Sequence, residues 1–136
     1  MKNLVNKSCI ESLKKNGTPI IIVAAVKEAE AIAYACKDFG IKVEAFCDSE
    51  KRKSQESFCG LEVIHTPTLP ERFSRARFLI ATQQISDVVD QLSGLGFNEF
   101  YSANELIDKF SLYNHDYAIS KSLMKTRLEI YKKSHE

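Results

Sequence analysis

Six consecutive residues, Ala24-Ala25-Val26-Lys27-Glu28-Ala29, stand where this chain could hold a phosphate. They join an apolar run to an amphipathic one. A turn that feeds a strand into a helix presents backbone N–H groups and the positive end of the helix dipole to an anion. Such a turn needs glycine at three places. The first permits the tight turn, the second lets a pyrophosphate approach the backbone, and the third lets helix pack on strand. Ala29 can serve as the third. Ala24 stands at the first place and Val26 at the second, where its branched side chain would occupy the space a phosphate needs. Glu28 complements the helix dipole but repels a phosphate placed there. Losing two amide hydrogen bonds to a charged group costs about 3–6 kcal/mol. That weakens dinucleotide binding by about 10²- to 10⁴-fold.

Asp48 points the other way. It lies about 20 residues beyond Ala29, where an acid that binds a ribose belongs. The alternative is a solvated acid that opens a charged run. Lys51-Arg52-Lys53 follows and reads as a solvated loop, able to touch a phosphate if the loop folds over the turn. Cys47 beside Asp48 would be a nucleophile only with a base or a thiolate-stabilising charge. A small buried hydrophobe at a strand end is the better reading. Cys47, Cys59 and His65 match no zinc spacing. Tyr117 and Lys121 have the spacing of a catalytic Tyr-x-x-x-Lys pair, but they lie beyond the core and the spacing is read as chance. No catalytic residue and no metal ligand is expected.

The elements that must position these residues follow from periodicity. Residues 3–15 read as an amphipathic helix through Leu4, Val5, Cys9, Ile10 and Leu13. Ile20-Ile21-Ile22-Val23-Ala24 is continuous, β-branched and bounded by turn residues, as in a strand buried on both faces. Ala29, Ile32, Ala33 and Cys36 recur at helical spacing, and Gly40 caps that helix. Strands are expected over 41–47, 61–64, 77–81 and 97–101. A helix through Ile85, Val88, Val89 and Leu92 ends at Gly94 or Gly96. Capping boxes are expected at 68–71 and 102–105, the latter opening a helix through Leu106, Ile107 and Phe110. Residues 115–134 read as a last helix, with Tyr117, Met124, Leu128 and Tyr131 as its apolar stripe. The alternation predicts a doubly wound α/β fold, with a mostly parallel sheet of about five strands and extra N- and C-terminal helices. Ligands of such sheets sit at the carboxyl ends of the central strands, here 24–29, 47–49 and 82–84.

The whole chain narrows the classes further. Its 136 residues suit one core without disulfides or metal. Nineteen basic and eighteen acidic side chains give a net charge of +1 and no basic field for a nucleic-acid backbone. The polar first residues lack an apolar leader core, and no apolar run approaches the ~20 residues that span a bilayer. The four cysteines show no CxxC spacing and read as reduced thiols, so a cytoplasmic location is expected.

Three segments carry a resemblance: PIIIVAAVKEAEAIAYACKDFGIKVEAFCDS, CGLEVIHTP and FLIATQQISDVVDQLSGLGFNEFYSANEL. Over roughly residues 18–107 the chain resembles the Rossmann-like modules attached to bacterial sugar-modifying enzymes. Those include sugar-nucleotide O-acyltransferases and sugar or polysaccharide methyltransferases, and nucleotide-sugar dehydratases and epimerases share the core. The resemblance implies Ala24, Ala25, Val26, Ala29, Asp48, Thr82 and Gln83 as cofactor-binding positions. It also implies work in surface-carbohydrate biosynthesis. The broken glycine turn weakens the NAD or nucleotide-sugar ligand that the resemblance would otherwise imply. No acyltransferase repeat or methyltransferase motif follows, so transferase chemistry needs another domain or protein.

The reading is thus a helix over 1–17, a Rossmann-like domain over 18–110 and a helical extension over 111–136. Its function is that of a nucleotide- or sugar-nucleotide-binding type of module, non-catalytic and accessory to a transferase. The alternatives are an NAD-dependent enzyme or subunit that modifies sugar nucleotides, and a dimerisation or docking module with no small-molecule ligand. Expected partners are a nucleotide or sugar-nucleotide ligand, a second copy or a linked transferase domain. Nucleic acid and membrane insertion are not expected.

Overall fold

The computed structural model describes residues 5–6, 10–15, 17–80, 85–103 and 106. Six strands form one sheet: β1 (Val5–Asn6), β2 (Ile20–Val23), β3 (Ala45–Asp48), β4 (Val63–His65), β5 (Arg77–Ile80) and β6 (Glu99–Ser102). Every pairing between them is parallel, in the order β1-β6-β5-β2-β3-β4. The helices are α1 (Ile10–Lys14), α2 (Lys27–Asp38), α3 (Leu69–Arg72) and α4 (Ile85–Gly94). This is the doubly wound α/β architecture of a Rossmann-like domain. The chain turns back on itself between β2 and β5, the crevice where sheets of this kind bind ligands.

Each strand of the sheet's centre is buried on both faces, which is why β2 is apolar without alternation. Ile20, Ile22, Phe46, Val63 and Leu79 pack toward Ala29, Ile32 and Cys36 of α2 and Leu13 of α1. Ile21, Val23, Phe78, Ile80 and Phe100 pack toward Leu69 of α3 and Val89 and Leu92 of α4. Phe78 meets Phe97 edge-on at 5.0 Å between ring centroids.

Both long helices close the same way. Ile41 N–H donates to Cys36 O and Gly40 N–H to Lys37 O at the end of α2. Phe97 N–H and Gly96 N–H do the same to Leu92 O and Ser93 O at the end of α4. Gly40 (φ +78°) and Gly96 (φ +101°) take the left-handed position that this cap requires.

Several boundaries differ from expectation. The helix predicted over 3–15 is shorter, because Val5–Asn6 pairs with Phe100 and Tyr101 at the edge of β6. The ladder on an open strand edge overrides local periodicity there. Ile41 is spent on the α2 cap, so β3 begins only at Ala45. Residues 58–61 form a tight turn, with mutual backbone bonds between Phe58 and Leu61, which delays β4 to Val63. The capping box at 68–71 does not form. Thr68 Oγ1 donates to His65 O at 2.7 Å, and Thr68 itself is helical in φ and ψ. Leu106 is helical and buried. The capping residues at 104–105, the rest of that helix and the helix expected over 115–134, with Tyr117 and Lys121, lie outside the described residues.

Candidate functional site

The turn after β2 takes a left-handed step at its first residue without a glycine there. Ala24 has φ +79°, a left-handed value that costs an L-residue roughly 1–2 kcal/mol. Its N–H donates to Cys47 O at 2.6 Å, which stitches the turn to β3. Val26 precedes the first turn of α2 with no side-chain cap, and its half-buried side chain packs against the apolar cluster on the α2 face. Ala29 is fully buried, the close packing of helix on strand that the third glycine normally permits. Its N–H returns to Val26 O at 2.9 Å.

Asp48 closes the arrangement from the end of β3. It is 7% exposed, and both its oxygens are engaged. Oδ2 accepts the Ala25 N–H at 2.8 Å, and Oδ1 accepts the Glu50 N–H at 2.9 Å. The carboxylate therefore takes an amide of the turn for itself. Lys53 completes the set. Its Nζ lies 3.4 Å from Ala25 O, 3.7 Å from Asp48 Oδ2 and 3.4 Å from Glu50 Oε1. The basic loop does fold over the turn, in a 3-10 segment Lys51–Gln55, and Lys53 is the residue that reaches it.

Beside this turn is a cavity of about 430 Å³ between Ala25, the loop residues 52–58 and Val63. Phe58 forms part of its wall and stands edge-on to Phe46 at 5.0 Å. Arg52, Gln55, Glu56 and Ser57 supply its polar side.

The thiol of Cys47 is not a nucleophile in waiting. Burial pushes it up to about 12, outweighing a hydrogen bond with Thr66 and another with the Ala24 backbone. Cys59, on the turn at 58–61, is pushed up to about 11 by partial burial and by Glu30. His65 pairs in register with Asp48, one position past the Cys47 pair. Among the described residues no three His, Cys, Asp or Glu side chains converge as a metal site would require. Nor does any helix among them reach the length and apolarity to cross a membrane.

Of the positions singled out in the sequence, Ala24, Ala25, Val26, Ala29 and Asp48 come together at the turn. Thr82 and Gln83 lie outside the described residues. The sequence reading missed the direct bond between Asp48 and Ala25. The spacing that suggests a ribose acid equally lets that acid reach the turn's own amide.

No known protein family, curated protein or solved structure matches this chain.

Proposed function

We propose that this chain is a non-catalytic Rossmann-type module that holds a nucleotide sugar at the carboxyl ends of β2 and β3, accessory to a transferase in bacterial surface-carbohydrate biosynthesis. One observation carries the reading: the two cations that line the cavity beside Ala25 are already paired with acids. Lys53 faces Asp48 and Glu50, Arg52 lies 3.7 Å from Glu50, and Glu56 adds a further acid to the wall. A phosphate gains little among cations already offset. A neutral ring rich in hydroxyls gains more. Its hydroxyls donate and accept, as do the Gln55 amide and the Ser57 hydroxyl. Its C–H face can lie on Phe58. The volume falls in the range of small-molecule sites.

The diphosphate of such a ligand has a neighbouring place. The N–H groups of Lys27 and Glu28 have no partner within α2 and Val26 makes no side-chain cap, while the Ala29 N–H returns to Val26 O. The Glu28 charge opposes a phosphate there, so this place contributes less than the sugar's. The NAD-linked alternative is less well supported, because Asp48 is buried and each of its oxygens already accepts a backbone N–H, which leaves it fewer acceptor sites for a ribose diol. The non-catalytic reading rests on the same commitments, since Asp48 is structural and Cys47 is held as a thiol.

The test is calorimetry and amide NMR with UDP-sugars, NAD, coenzyme A and S-adenosylmethionine. A UDP-sugar should bind saturably and perturb residues 25–29 and 52–58. Gln55→Ala should weaken it about fivefold, the loss of one or two hydrogen bonds. Silence across the panel, or NAD binding more tightly than every UDP-sugar, would refute the proposal.

A further inference from the structure

A second cavity, of about 350 Å³, lies toward the amino ends of β3 and β4, on the same face as α2. It exists because the crossover from β3 to β4 carries no α-helix. The flank of α2 is left to the tight turn at 58–61. Ala33, Val43 and Leu61 pack against the core there yet remain half-exposed, and Ile41 forms the buried floor. Lys37 and Lys42 stand exposed in the lining. Among the described residues neither lysine joins an ion pair. The helix end does not call on Lys37 either, since carbonyls of its last turn accept the N–H groups of Phe39, Gly40 and Ile41.

The charged side chains that line this cavity are both cations and neither is paired among the described residues, in contrast to the cavity beside Ala25. Two unpaired ammonium groups over an apolar floor complement a molecule with an apolar body and a single anionic head. We infer that this groove binds a small organic anion of the alkyl or aryl carboxylate class. The carboxylate sits between Lys37 and Lys42, and the apolar body lies over Leu61. Cys59 lines the far side, where the charge of Glu30 is felt and a second anionic group would be repelled. This site does not depend on the nucleotide-sugar reading. It uses no residue of the turn after β2.

Octanoate is the probe, followed by amide NMR shifts in the intact chain, with octanol and octylamine as controls. Octanoate should bind saturably in the millimolar range or tighter and shift residues 33–43 and 59–61, leaving 24–29 unmoved. Lys37→Glu with Lys42→Glu, both exposed and chosen to leave the fold intact, should weaken it on the order of tenfold, as expected for two exposed ion pairs. Ala33→Phe, which fills the groove, should abolish binding while the far-ultraviolet spectrum and melting stay close to the parent. Octanol binding as well as octanoate would overturn the anionic class. Shifts scattered over the surface, or no saturation, would overturn the site.

Discussion

Ala24 carries a backbone conformation for which its side chain is poorly suited. At φ +79° the Cβ crowds the following carbonyl, and only glycine escapes that contact. The conformation survives because the surroundings fix it from two sides. Cys47 O holds the N–H of Ala24, and Asp48 holds the N–H of Ala25. Removing the Cβ should therefore relieve strain without changing the turn. Ala24→Gly is expected to raise stability by about 1 kcal/mol, less the added freedom of glycine in the unfolded chain. Urea unfolding at equilibrium measures it. A loss of stability would mean that the turn relaxes away from the left-handed region in solution.

At the scale of elements, Arg77 explains how the N-terminal part is held. It opens β5, is 8% exposed, and joins no ion pair among the described residues. Its guanidinium donates instead to carbonyls: Thr18 O at 2.7 and 3.0 Å, Ser12 O at 3.0 Å and Lys15 O at 3.3 Å. Ser12 lies in the last turn of α1 and Lys15 directly follows it, at the negative end of the helix dipole, which suits a cation. The planar fork reaches several acceptors at once, which a lysine cannot do. Arg77→Met should cost about 2–4 kcal/mol by leaving these carbonyls without a donor. Hydrogen exchange over residues 12–18 should speed up before that of β2 and β5. Uniform acceleration across the sheet would show that the clamp serves the whole core rather than α1.

The same elements show what a sequence can disclose. The order of β2, α2, β3, β4, β5, α4 and β6 was legible, because buried parallel strands and amphipathic helices write themselves as continuous and 3.6-period apolar patterns. The turn and Asp48 were legible as positions, since both sit at strand ends fixed by those patterns. Their contacts were not. Arg77 reaches residues 59 and 65 positions away, and Lys53 reaches back 28. Such pairings depend on which strands become neighbours. β1 was hidden for the same reason: two residues carry no periodicity, and only the open edge of β6 makes them a strand. Residues 48–60 read from their polar sequence as a surface loop; Asp48 instead closes β3, and the rest carries only the 3-10 segment Lys51–Gln55 and the start of the turn at 58–61. That this crossover leaves two cavities on one face follows only once the sheet order is known.

For the whole molecule, the sheet couples one buried thiol to global stability. Cys47 lies in β3, paired to β2 on one side and β4 on the other, with its side chain in the cluster beneath α3 and α4. Water reaches it only if the sheet parts. Its thiol is pushed from an ordinary value of 9.0 to about 12 by burial. A folded-state value above the unfolded one means that the native chain holds the proton more tightly. The stability that goes with the bound proton is complete below pH 9 and falls as pH climbs from about 9 toward 12, where the unfolded chain releases the proton first. Midway through that window the loss should be on the order of 2 kcal/mol. Denaturant midpoints measured between pH 8 and 11 for the parent and for Cys47→Ala separate this thiol from the tyrosines and lysines that titrate nearby. The parent should lose more stability than the variant across the window. Parallel curves would mean that Cys47 ionises without the sheet opening, and that the ends of β2 and β3 are wetter than their packing implies.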